Sequence, residues 1–231
     1  MLKLTPFLLI ILYAIAMWLF SAWRLKRELN ARSTPLTDPR LSRVLDQLGA
    51  AMELPRIKAH VYEIAPVNGL AAPDGRVFLT RGFIDKLDAG QVTESELASV
   101  IAHELGHVAH GHTRRRMMDF AGQNLVRAVL AGVFGRMIPF IGPWIAGLVA
   151  SALAARLSRE DEFQADAFAA ALMVKAGLGT GPQKALLSRL DRMAGGGARP
   201  MAWLSSHPPT DRRIAAIEAL EQRWNIAPEA P

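Results

Sequence analysis

His103-Glu104-Leu105-Gly106-His107 places two imidazoles four residues apart, with a carboxylate between them. On a helix such positions lie one turn apart on one face, so both rings can reach one ion. Neutral imidazole suits zinc, and a zinc site with an open coordination position activates water. Glu104, next to the first histidine, is then placed to take a proton from the attacking water. Two imidazoles do not complete a catalytic zinc site, so a third protein ligand must come from elsewhere in the chain.

The acidic run Glu160-Asp161-Glu162 with Asp166 beyond it is where that ligand is sought. Glu162 and Asp166 share a helix face, so one carboxylate can bind the metal while the other hydrogen-bonds a ligating imidazole. By spacing alone Glu160 or Asp161 would also serve. Both fit better as an acidic first turn behind Ser158, favoured by the helix dipole. A third histidine six residues after His107 would fall at position 113, which is Thr113, so that all-histidine pattern is excluded. His207 precedes Pro208-Pro209, which keeps its backbone extended and lets its ring project toward a cleft. It is a candidate for stabilising developing negative charge.

The elements that must carry these groups follow from local chemistry. Thr93 is an N-cap and Glu96 completes a capping box, opening a helix that is expected to run at least to His112. Ala98, Ile101, Ala102, Leu105 and Val108 form its buried face. Upstream, Asp38-Pro39 opens a helix through about Met52, with Leu41, Val44, Leu45 and Leu48 inward. Three strands are expected at Arg56–Glu63, Val67–Ala71 and Arg76–Thr80, the last two joined by Pro73-Asp74-Gly75. Phe83–Leu87 reads as a short helix. The order predicts an α+β, mostly helical domain with a small sheet. Val67–Ala71, short and built of small residues before a turn, has the character of an edge strand beside a site.

The whole chain sets the limits. It has 231 residues and no cysteine, which excludes disulfides and thiolate metal sites. Its formal charge is +6, but no basic stripe interleaved with aromatics is present, so nucleic acid is not expected as a partner. Leu4 to Trp23 runs without a charge for about 30 Å of helix, and Arg24, Lys26, Arg27 and Arg32 follow it. We expect an uncleaved N-terminal transmembrane helix over residues 1–30, with its basic flank and the rest of the chain on the cytoplasmic side. Residues 31–231 then form the catalytic domain. Within it, residues 120–157 turn apolar again and are expected to form a helical hairpin, either inserted in the membrane as a pair of helices or lying against the domain or the bilayer surface; Arg127 argues against a clean crossing. Nothing in the sequence fixes an oligomeric state.

Taken together, several blocks resemble the membrane-linked zinc metallopeptidases of metallopeptidase family 48, which include the HtpX-type quality-control proteases and the CAAX prenyl proteases. The blocks are Val67-Asn68-Gly69-Leu70-Ala71, Phe78-Leu79-Thr80-Arg81-Gly82, His103 to His112, Glu162-Phe163-Gln164-Ala165-Asp166, and Ser206-His207-Pro208-Pro209-Thr210-Asp211-Arg212-Arg213. The resemblance implies a zincin-type fold, one Zn2+ per chain on His103, His107 and Glu162, Glu104 as general base, and Asp166 hydrogen-bonded to a ligating histidine. It also implies peptide substrates held extended against the edge strand, where Leu70 or Ala71 would donate to them. The expected function is a zinc endopeptidase acting on membrane-associated or misfolded proteins, with membrane lipid as a further partner. The reading set against it is a non-enzymatic, zinc-stabilised scaffold or chaperone-like protein. The presence of Glu104 argues against that.

Overall fold

The computed structural model describes residues 5–112, 142–195 and 210–226. The chain divides into two compact units. One comprises Met1–Ala31 and His112–Ser158, the other Arg32–Gly111 and Arg159–Pro231.

The first unit opens with helix α1, Thr5–Ala31. Leu12, Tyr13, Ile15, Met17, Leu19, Phe20 and Trp23 are exposed along it. The guanidinium of Arg27 lies 5.4 Å from the Trp23 ring centroid, closing the apolar stretch with a positive group. Among the described residues no helix is long and apolar enough to cross a membrane, which corrects the expected transmembrane helix. The expected hairpin lies outside the described residues from 120 to 141.

The second unit carries the sheet and the packed helices. Strand β1 is Ser33–Pro35, β2 Ala59–Tyr62, β3 Gly69–Ala71 and β4 Val77–Thr80. They form one sheet in the order β1-β2-β4-β3. β2 and β4 run parallel, while β1 and β3 add antiparallel at the two edges. β1 was not expected: it is three residues long and contains Pro35, and proline is tolerated there because the strand is an edge. One face of the sheet, with Val61, Val77 and Leu79, enters the main core.

Helix α2, Pro39–Ala51, starts where expected: Asp38 accepts from the Arg40 backbone N–H at 2.9 Å, with Pro39 in the first turn. Its Leu41, Val44 and Leu48 pack into the same core. Helix α3 is Arg81–Asp88 and helix α4 is Glu94–Ala109. The capping box of α4 is closed in both directions, Glu96 N to Thr93 Oγ1 at 3.2 Å and Thr93 N to Glu96 Oε2 at 2.7 Å. The other oxygen of Glu96 takes Arg189 at 3.1 Å, which ties this end of α4 to helix α6, Gly181–Gly195. α4 is buried on every side from Glu96 to His107, so it is the central element of the unit. It ends earlier than expected, with His110 as C-cap and Gly111 in the left-handed region at φ +67.

Helix α5 spans Gly142–Lys175, and helix α7, Thr210–Trp224, follows α6. The expected start of α5 at Ser158 is therefore wrong. Glu160 and Asp161 stand in mid-helix, and the helix-dipole reason for an acidic pair there does not apply.

Candidate metal centre

Two helices supply the groups in pairs. α4 presents His103 and His107 one turn apart; α5 presents Glu162 and Asp166 one turn apart. What lets them meet is the residue type at the crossing. Gly106 lies between the histidines in sequence and Ala165 between the carboxylates. A Cβ on Gly106 would lie 3.0 Å from the Ala165 Cα and from its carbonyl oxygen. The helices thus approach backbone to backbone, and the side chains on either side of the crossing converge.

The convergence is tight. His103 Nε2 and His107 Nε2 are 3.2 Å apart, His103 Nε2 is 3.3 Å from Glu162 Oε2, and His107 Nε2 is 3.4 Å from Glu162 Oε1. Four ligands at zinc-like bond lengths of about 2.05 Å would stand about 3.4 Å apart at the corners of a tetrahedron. These separations, which reach both oxygens of Glu162, fit ligands gathered around a metal ion of that size. Among the described residues this is the one group of three or more potential ligands whose atoms all lie within 4.8 Å of one another. All three are buried, Glu162 completely. Asp161 is buried but not part of the group, and Glu160 is exposed, 3.3 Å from Gln164.

His103 is oriented from behind. Its Nδ1 faces Asp166 Oδ1 at 3.0 Å, so the carboxylate accepts a hydrogen bond from Nδ1–H and leaves Nε2 as the ligand atom. Asp166 is itself gripped by Arg213 of α7, Nε to Oδ2 at 2.6 Å and Nη2 to Oδ1 at 2.7 Å. Gln183 of α6 adds contacts from its Nε2 to the Asp166 carbonyl at 3.3 Å and to Oδ1 at 3.4 Å. The sequence reading assigned no role to Arg213 or Gln183. A signal for the first existed: Arg213, Ile217 and Glu221 recur every four residues, which puts two charged groups in line with an apolar one.

The electrostatics agree with a cation at this spot. Burial alone would pull the His103 imidazolium down, but Asp166 and Glu162 outweigh it and raise the ring to about 9. Burial opposes the Asp166 charge too, yet Arg213 and His103 hold it well below the usual carboxylate range. Arg213 is raised despite its burial, through Asp166 first and through Glu162 and Glu104 beyond it. Glu104 itself is buried on α4 beside His103. His207, the remaining predicted site residue, lies outside the described residues.

Against known proteins, the model of peptidase family M48 matches residues 35–221, which takes in strands β2 to β4, both sets of ligand residues and most of α7. The chain belongs to peptidase family M48. Relatives agree. It is 27% identical over 179 residues to the metalloprotease YcaL of Escherichia coli (strain K12), covering 77% of this chain and 67% of the relative. It is 30% identical over 232 residues to a protease HtpX homolog of Chlorobium luteolum, covering 85% and 77%. It is 29% identical over 182 residues to the mitochondrial metalloendopeptidase OMA1 of Schizosaccharomyces pombe, covering 77% of this chain and 51% of that one. As an M48 member the protein is a metal-dependent endopeptidase, a hydrolase of peptide bonds. A non-enzymatic scaffold is not favoured.

Proposed function

We propose that the metal is zinc, one ion per chain, held by His103, His107 and Glu162, and that Glu104 is the general base. The observation that carries this is the cluster of His103 Nε2, His107 Nε2 and the two Glu162 oxygens, with contacts of 3.2 to 3.4 Å, and Glu104 buried beside it. Zinc at such a site lowers the pKa of water to about 7 and polarises a carbonyl. The protein's own part is proton traffic and orientation. Glu104 takes the proton of the attacking water and hands it to the leaving amine. Asp166 keeps the Nδ1 proton on His103. His207 is assigned to the oxyanion on its sequence context alone.

Substrate lies extended along β3, whose outer edge has no neighbouring strand among the described residues. Recognition through backbone suits a protease of unfolded chains. The exposed apolar residues of α1 and the basic group Arg24, Lys26 and Arg27 support attachment to a membrane, with that basic flank and the catalytic unit on the cytoplasmic side. Membrane-associated or misfolded proteins are then the substrates within reach.

Glu104→Gln tests the assignment. The variant keeps the shape of the residue and removes the base, so it should hold one zinc per chain and lose casein hydrolysis by several orders of magnitude. Phenanthroline should abolish the wild-type activity. Hydrolysis by the variant within tenfold of wild type sinks the reading.

A further inference from the structure

Arg213 is the largest fully buried side chain among the described residues, yet it offers no ligand atom to a metal. A buried guanidinium costs several kcal/mol unless its partners are well placed, so its position calls for a reason. Its two short hydrogen bonds to Asp166 form a fork, 2.6 Å to Oδ2 and 2.7 Å to Oδ1. The torsion that turns a carboxylate about its last bond is broad and only weakly restrained by the side chain itself. Two parallel contacts from a planar donor remove that freedom. The oxygen so fixed, Oδ1, is the one 3.0 Å from His103 Nδ1. Arg213 Nη2 also stands 3.4 Å from that nitrogen, and since both atoms bear protons, the oxygen they share is what orders them.

The far end of α7 is anchored independently. Glu221, two turns beyond Arg213, is buried with Thr180 Oγ1 and with Lys184 Nζ, the latter at 2.9 Å. Ile217 packs between the two polar anchors, against Ala170 of α5 and Leu187 of α6. Arg213 therefore reaches Asp166 from a helix whose place does not depend on the Asp166 contact alone.

From this geometry we propose that Arg213 is a positioning residue for the metal. It locks the Asp166 carboxylate in the plane that aims His103 Nε2, so the last helix sets the affinity of a site to which it gives no ligand. The inference rests on the metal reading above. An isolated Asp–His pair would tolerate lysine at position 213; the fork does not, because an ammonium is a point donor.

The test is a double-substitution cycle with zinc alone as the probe. Affinity is read by competition with a chromophoric chelator, and ligand geometry by the visible spectrum of the cobalt-loaded proteins. Arg213→Lys and Asp166→Asn should each weaken zinc by about 10- to 100-fold, as loss of a partner behind a ligating histidine does. Both should alter the cobalt spectrum. In the Asp166→Asn background, Arg213→Lys should change affinity by less than about threefold, because the path through the carboxylate is already cut. Effects that multiply, or zinc binding by Arg213→Lys within about twofold of wild type, overturn the proposal. If the lysine variant does not fold, Arg213→Gln enters the same cycle with the same expectations. Wild-type protein that binds no zinc, or binds it equally after Glu162→Ala, overturns the metal reading itself. Intact wild-type binding with an unaffected cycle overturns only the role of Arg213.

Discussion

Gly106 and Ala165 touch through their backbones: a Cβ on Gly106 would lie 3.0 Å from the Ala165 Cα and 3.2 Å from the Phe168 Cβ. The prediction is that Gly106→Ala weakens the metal site from a distance. Alanine in a helix interior is worth roughly 1 kcal/mol over glycine, and that gain opposes the clash. Overpacking against backbone costs typically about 1–3 kcal/mol, and the backbone of α5 cannot rotate away as a side chain can. The clash should win by up to about 2 kcal/mol. Because Glu162 and Asp166 ride on α5, the displacement should also reduce zinc affinity. Thermal unfolding and zinc competition on one preparation check both. A more stable variant with unchanged affinity would show that the crossing is looser than described.

That crossing also marks how far the sequence could be read. His103 and His107 are legible because four-residue spacing on a capped apolar helix has one geometric meaning, and Glu162 and Asp166 because the same spacing recurs. Gly106 stood in plain view, but its purpose depends on a partner helix some sixty residues away, and local pattern carries no such information. Arg213 was hidden for the same reason, since a charge on a helix normally implies solvent. β1 was too short to show alternation. The start of α5 was misplaced because Ser158 has N-cap chemistry, although the preceding residues continue the helix and a serine within it needs no cap. The apolar N-terminal run reads as a span by length alone. The described helices give no such span.

The acidic run on α5 offers a test of the ligand. Glu162→Ala should lose bound zinc almost entirely, whereas Glu160→Ala should keep it, its carboxylate being exposed and 3.3 Å from Gln164. Asp161→Ala should keep zinc too, at some cost in stability, since Asp161 is buried. Metal analysis of the three purified proteins after dialysis decides the matter. Equal zinc in all three refutes the ligand assignment.

Metal removal should be visible as stability. A ligand that binds only the folded chain at about 100 times its Kd adds about 2.7 kcal/mol. For a chain of this size that corresponds to a Tm shift of about 5–10 °C. Calorimetry of the wild type with and without chelator should show a fall of that order, and Glu162→Ala should show none. A wild-type Tm indifferent to the chelator would mean that the three ligands hold no metal in solution.

The register of β3 decides which residue meets substrate. Thr80 N donates to Asn68 O at 3.0 Å and Ala72 N to Arg76 O at 2.8 Å, so Asn68, Leu70 and Ala72 direct their peptide groups toward β4. Gly69 and Ala71 direct theirs away. The Gly69 N–H is taken by the Asn68 side chain at 3.0 Å, which leaves the Ala71 N–H as the outward donor of this strand. Ala71→Pro removes that donor and leaves the ladder to β4 intact. It should lower kcat/KM at least about tenfold, roughly 1.4 kcal/mol, with zinc content and Tm near wild type. Leu70→Pro should instead break the pairing with Phe78 and lower Tm, because its donor faces inward. Peptide hydrolysis by Ala71→Pro at the full wild-type kcat/KM, with zinc retained, would show that substrate does not add as a strand at this edge.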